Sequence, residues 1–480
     1  MRGPATLAEP AREITPRRAP FVRSPLFVVC VVLVALAPAL DAALYALGRL
    51  HALPAHGQSL TLLYRWGTTW VGGFSAGDSW DVMIDAYRWL QAHPGGRIYE
   101  QLFFVEHTKF QYPLTSLLPF ALLSAAGVQV GQVGLNAASQ IAVALDVLVA
   151  GWMTLRLAQA TPLRDARWPL AIAFALATLL FYPLMRALEL GQIQTGIDLL
   201  FALAACAWLG GRRALAGVLI GLICLLKPQF SLFFVWALLR RERGFAIAWL
   251  VVVATGWLAA LGAFGVQNNV DYVAVLRALS STGEVYQANQ SVNGMLNRLL
   301  GTGDPFTWDA HGFPRVDPVV HIGTLVSSAA MIAAALFVPR RGHGASSFLD
   351  FLLAALTFTI ASPIAWEHHY GIASTVFIGA AFALLRLRAS AARVAGFVAL
   401  ATSYALTAHW LPGSALMVGA LILLVLVHVL TFADAGRFES GGAPRRRRHL
   451  RVVPPMETNG RSVAWGRQLF PPMRSLRLRG

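Results

Sequence analysis

Three carboxylates stand close together at Asp78, Asp81 and Asp85. Asp81 and Asp85 are four apart, a spacing that puts them on one face of a helix. A carboxylate here could act as a general base or hold a cation. The same acids on a solvated helix would only complement the positive end of its dipole. Lys227 follows the apolar run VLIGLICLL and precedes Pro228. Its ammonium is expected at a membrane interface, either snorkelling or neutralising a phosphate as a compact point charge. Trp366, Glu367, His368 and His369 form a second cluster. Adjacent histidines diverge on a helix, so one shared metal is not expected of them. Glu189, Gln192 and Gln194 mark a helix end, where polar capping competes with binding. Asn289, Gln290, Ser291, Asn293 and Arg298 make a polar knot. Asn and Gln there suit sugar hydroxyls or loop capping equally well. No Walker loop, dinucleotide fingerprint or HExxH is present, nor a nucleophile elbow.

The elements that must position these groups are apolar runs. Of 480 residues, 56% are hydrophobic and 13% charged, about half the charged share of a soluble domain. Runs of about 18 or more apolar residues read as membrane-spanning helices. Candidate spans are 26–48, 134–158, 168–186, 193–209, 213–226, 229–239, 243–265, 320–338, 347–362, 370–386, 390–410 and 413–433. The expected fold is an all-α polytopic bundle of about twelve spans. The stretch 113–127 is apolar but short, and reads as a re-entrant or half-membrane helix.

The formal net charge of +16 comes from basic short loops and basic tails. That is the positive-inside pattern, not a nucleic-acid surface. It makes loops such as GGRR (210–213) and RRERG (240–244) cytoplasmic, with both termini on the same side. The basic N-terminal tail is 1–24, the catalytic bundle 25–433, and a disordered basic tail 434–480. The candidate chemistry then gathers on the external side, with long external loops at 49–112 and 266–319. Asp41, Asp146 and Asp198 fall inside apolar runs and are expected to face the bundle interior. The three cysteines, Cys30, Cys206 and Cys224, lie within apolar runs and give no disulfide framework or metal spacing.

Several stretches, taken in order over about 80–370, resemble glycosyltransferase family 87 of the membrane glycosyltransferase superfamily C. They are Asp81 with Tyr99; Phe110, Tyr112 and Pro113; Gly191-Gln192; the helix from Ala216-Gly217 to Lys227-Pro228; Asn289-Gln290-Ser291 with Arg298; and Ser362, Pro363, Trp366, His368 and His369. The chain departs from the family pattern in having Tyr-Pro-Leu for Tyr-Pro-Pro, Gln194 where an Asn is usual, and Glu367 where an Asp is frequent.

The resemblance implies an inverting transferase that moves a sugar, mannose or arabinofuranose, from a polyprenyl phosphate to a glycolipid or glycan in envelope biosynthesis. It implies a bacterial cytoplasmic membrane with the site on the periplasmic side. Asp81 would be the general base with Asp85 behind it. Lys227, His368, His369 and Arg298 would hold the donor phosphate. Gln192, Gln194, Asn289, Gln290, Trp366 and Tyr112 would hold sugar or acceptor. No cofactor and no nucleic acid is expected, though Asp78 and Asp81 leave room for a divalent cation. The main rival is a transporter or flippase of lipid-linked sugars, which should instead place polar groups near the midplane of two repeated halves.

Overall fold

The computed structural model describes residues 39, 41–44, 46–47, 58–68, 78–159, 161, 163–309, 311–337 and 345–440. The tail 1–24, residues 441–480 of the C-terminal tail and much of the expected first span lie outside them. The described chain is all helical. Its helices are α1 (Ser59–Thr68), α2 (Asp78–Ala92), α3 (Leu118–Ala125), α4 (Gln132–Gln159), α5 (Arg167–Leu179) and α6 (Tyr182–Leu190). There follow α7 (Gln194–Leu209), α8 (Arg213–Cys224), α9 (Leu232–Leu239), α10 (Arg243–Phe264), α11 (Val266–Thr282) and α12 (Val292–Leu300). The last are α13 (Pro318–Phe337), α14 (Ala345–Ile360), α15 (Ala373–Arg386), α16 (Ala391–Thr407) and α17 (Ala415–Ser440).

This is a multi-pass membrane protein, but twelve crossings are not shown. Among the described residues five helical stretches are long and apolar enough to cross a bilayer, and the pair Arg164–Leu179 and Tyr182–Leu190, bent by 47°, makes a sixth. A span needs about 20 residues. The apolar runs at 193–209, 213–226, 229–239, 347–362 and 390–410 form helices of 8 to 17 residues instead. Hydrophobicity is continuous there while the backbone is not, because Gly, Pro and turn residues break it. Residues 113–127 give a 3₁₀ turn leading into α3, a short apolar helix. At the other end, α17 continues to Ser440, past the expected start of the tail.

The stretch Glu367–Arg386 is the centre of the bundle, with 83% of its most apolar window buried, against 22% for α13 at the periphery. Around it runs an aromatic core in which Trp208 stacks on Phe351 at 4.9 Å and Phe233 meets Trp236 edge-on at 5.6 Å. Helix α8 lies against α10 so closely that a Cβ on Gly217 would fall 2.3 Å from the Phe245 carbonyl oxygen. The small-residue helix leading to Lys227 therefore fixes that lysine's depth by backbone approach, and Gly217→Ala would push it away.

Two local devices aim side chains at the site. Gly191 ends α6 in the left-handed conformation at φ 65°. Its N–H bonds the Leu188 carbonyl and the Gln192 N–H bonds that of Ala187, the paired closure of a Schellman cap. The chain thereby turns so that Gln192 leaves the helix. Lys227 precedes a proline and is extended, at φ −132° and ψ 96°, as pre-proline sterics require. That break between α8 and the turn Pro228–Ser231 exposes the lysine to the interior cavity described next.

Candidate functional site

Helix ends and inter-helix segments enclose a cavity of about 690 Å³. Asp78, at the first position of α2, contributes a carboxylate to it. The Gln192 side-chain amide donates to Asp78 Oδ2 at 2.7 Å, and the Tyr112 hydroxyl donates to Gln192 Oε1 at 3.2 Å. Both polar ends of Gln192 are thus occupied. Tyr112 is itself anchored, since the Tyr99 hydroxyl donates to its carbonyl at 2.6 Å. Asp78 is exposed as a whole residue, but desolvation of its carboxylate at the cavity wall raises its pKa above the ordinary value; the Gln192 hydrogen bond and the Arg186 charge oppose that rise, and Asp81 adds to it.

Lys227, His368 and His369 bring an amine and two imidazoles to the same cavity. Segment 362–367 is held by an antiparallel bridge between Asn289 and Trp366. The Glu367 N–H donates to the Ala288 carbonyl and the Gln290 N–H to the Ala365 carbonyl, each at 2.8 Å. The 3₁₀ turn Glu367–Ile372 starts there and sets the two imidazoles edge-to-face, 4.8 Å between centroids. Their Nδ1 atoms are buried and lack a hydrogen-bond partner among the described residues. Lys227 is 7% exposed and, among those residues, its ammonium makes neither a hydrogen bond nor an ion pair. Buried polar groups are nearly always paired. Two unpaired imidazole atoms beside a lysine on one cavity make it the candidate ligand site.

Arg186 was not singled out by sequence reasoning. It lines the cavity, donates to Glu367 at 2.8 Å and pairs with Glu189, which Arg65 also reaches. A lone arginine inside the apolar segment YPLMRALEL is itself a signal of function or pairing. Its pair with Glu367 braces α6 against the histidine turn, while Glu189 holds it from within α6. Lys109, Tyr286 and Trp308 also line the cavity unanticipated, because they come from segments far apart in the chain.

Other expected residues lie elsewhere. Asp81 is exposed and outside the cavity lining, and Asp85 is exposed beside Arg88, 3.6 Å away. Gln194 donates to Asp198 at 2.6 Å below the site. Asn289, Gln290 and Arg298 are spent on the fold. Asn289 bonds the Glu284 carbonyl and the Ala365 N–H; Gln290 bonds the carbonyls of Gln287 and Gly413; Arg298 bonds the Asn289 carbonyl and Ser414. Trp366, Tyr112, Gln192, Lys227, His368 and His369 do line the cavity.

The sequence pattern of glycosyltransferase family 87 matches residues 110–363, more than half of the chain. The chain belongs to glycosyltransferase family 87. It is therefore a glycosyltransferase, with a sugar donor and an acceptor as substrates. No match was found among curated proteins or solved structures. The family 87 match runs from Phe110 to Pro363, so it takes in Tyr112, Gln192 and Lys227 directly. It stops short of His368 and His369 and begins after Asp78, and for these the cavity geometry is the evidence.

Proposed function

We propose that this enzyme transfers a sugar, with inversion, from a polyprenyl-phosphate donor to a glycolipid or glycan acceptor at the outer face of a bacterial cytoplasmic membrane. The observation carrying this reading is that one cavity holds a carboxylate held by Gln192 together with an amine and two open imidazoles. A second feature favours a lipid-borne donor. Leu226, Leu232, Leu276, Ile332 and Phe358 add an apolar wall to the same cavity, and Leu276 is 40% exposed. An isoprenoid tail can lie along such a wall and leave through the bundle's flank.

In the proposed step Asp78 accepts the proton of the acceptor hydroxyl. That oxygen attacks the anomeric carbon as the bond from carbon to the phosphate oxygen breaks, and the electron pair leaves with polyprenyl phosphate. Lys227 and the paired histidines face the charge that grows on the leaving oxygen, where preorganised donors have their largest effect. The step as written uses no metal. Asp78 takes the role that the family resemblance suggested for Asp81, because Asp78 lines the cavity and Asp81 does not.

The test is transfer from radiolabelled polyprenyl-phosphate mannose and polyprenyl-phosphate arabinose into a mixed glycolipid extract, by purified protein in lipid. Wild type, Asp78→Asn and Asp81→Asn are compared. Loss with Asp78→Asn and retention with Asp81→Asn is the expected result. The reverse pattern returns the base to Asp81. Absence of transfer with every donor, together with movement of the labelled lipid across the bilayer, would establish the flippase instead.

A further inference from the structure

The proposed step leaves one wall of the cavity without a task. Trp308, Trp366 and Tyr286 all line it. Trp308 meets Trp366 at 5.4 Å between ring centroids, near perpendicular, and Tyr286 at 5.5 Å. Trp308 lies in the helix-free segment between α12 and α13, yet it is tightly held. The Lys109 ammonium sits 4.0 Å from its ring centroid and is itself bound by Glu284 at 2.9 Å and by the Asp309 carbonyl at 2.7 Å. Lys109 and Glu284 side chains are 8% and 6% exposed. On either side of the indole, Asp304 accepts from the Phe306 N–H at 2.8 Å and Asp309 accepts from that of Gly312 at 2.8 Å.

A buried ion pair and two aspartate-closed turns therefore fix an indole that stays 42% exposed. Nothing in packing asks for that. A large, rigid aromatic face with an open side offers contact area at small conformational cost. The complementary ligand is a sugar ring, whose C–H face is apolar and whose hydroxyls remain at the rim. The apolar wall that suits a lipid tail comes instead from α9, α11, α13, α14 and Leu226, next to Lys227. A ring on Trp308 and Trp366 would lie beside the histidine turn, since Trp366 is two residues before His368.

We propose that Trp308, with Trp366 and Tyr286, forms the subsite for the acceptor's sugar ring. This rests on the transferase reading above. The ring recognised is the same whether the acceptor is a glycolipid or a free glycoside, and both are tested. Steady-state transfer is measured for wild type, Trp308→Ala and Trp308→Phe, varying a glycolipid acceptor and the octyl glycoside carrying the same terminal sugar. Saturation-transfer NMR of that octyl glycoside on the purified protein is recorded alongside, because it needs no turnover.

Trp308→Ala is expected to raise the acceptor KM about tenfold for both acceptors, with donor KM and kcat retained, and Trp308→Phe to recover most of the loss. Ring protons of the glycoside should receive saturation in wild type and not in Trp308→Ala. An unchanged acceptor KM in Trp308→Ala overturns the subsite and leaves the transferase standing. So does a rise in donor KM alone, or a rise confined to the glycolipid, which would mean that lipid is read there. Ring saturation that depends on Trp308 in a protein with no transfer would keep the sugar site and remove the transferase.

Discussion

Two polar segments pack against each other beside the cavity and do opposite things. In the segment 284–298 most polar side chains are spent on the fold. Ser291 donates to the Pro363 carbonyl at 2.8 Å and accepts from the Gly294 N–H; Asn293 accepts from the Glu284 N–H and from Asn297, and donates to Thr324. The turn 366–371, with Lys227 beside it, has open groups: two imidazole Nδ1 atoms and one ammonium without partners among the described residues. Both segments are rich in residues that bind sugars and phosphates. Residue type does not separate a scaffold from a site here; open groups that line one cavity are the better guide. An unsatisfied buried group costs about 1–3 kcal/mol, and two of them, the His368 and His369 Nδ1 atoms, lie on this one cavity beside Lys227.

The largest effect should come from Lys227→Met, which keeps the volume and removes the charge. Loss of one preorganised stabiliser of developing charge costs about 100- to 1,000-fold in kcat. The variant should elute as folded wild type on gel filtration and bind the donor weakly. Transfer at the wild-type rate would mean that the ammonium snorkels to water and that the turn, not the lysine, meets the phosphate.

Gly371→Ala probes the same side from beneath. A Cβ there would stand 2.0 Å from Asp198 Oδ2. Asp198 is 1% exposed and held by Gln194, so the histidine turn must move. Displacement of about 1 Å at a site costs up to roughly 100-fold. The comparison predicts a fall in kcat with the fold intact. A protein that no longer folds would place this turn with the scaffold.

For the segment 284–298 the comparison predicts the converse. Asn289→Ala removes the acceptor of the buried Ala365 N–H and the donor to the Glu284 carbonyl, a loss of about 2–3 kcal/mol. Thermal unfolding should show it as a lower Tm, while kcat of the protein that remains folded changes little. A normal Tm with a raised KM for sugar would return Asn289 to the binding role its residue type suggested.

The sequence made much of this legible where short-range sterics decide. Gly191 before Gln192 and Pro228 after Lys227 are punctuation readable without a structure, and both place a functional side chain at a helix end. The order of the family motifs and the membrane class were legible for the same reason. What sequence could not supply is saturation, because the partners of Asn289, Gln290 and Arg298 come from Pro363 to Ser414, across the fold. Nor could it choose among Asp78, Asp81 and Asp85. All three lie within about two helical turns, and only the packing of α2 decides which one lines the cavity. The count of about twelve spans is not shown: several apolar runs, among them the two on either side of Lys227-Pro228, form helices shorter than a full crossing.

The smallest effect, and the finest test of the comparison, concerns Gln192. Its sequence context allows a sugar ligand, but in the structure its amide donates to Asp78 and accepts from Tyr112, so it sits with the saturated groups and acts through the base. Its hydrogen bond favours the ionised Asp78 carboxylate against the desolvation that raises its pKa. A general base works when ionised, so kcat/KM falls as pH drops through its pKa. Gln192→Leu removes the lowering influence, and the acid limb of the profile should move to higher pH. Gln192→Glu places a second carboxylate beside Asp78 and should move it the same way, further still. At pH well above the limb both variants should recover much of the wild-type rate, because the carboxylate is ionised again. A limb that stays in place while donor or acceptor KM rises would make Gln192 a ligand of the sugar after all, and would show that a hydrogen-bonded amide at this cavity exchanges its protein partners for substrate.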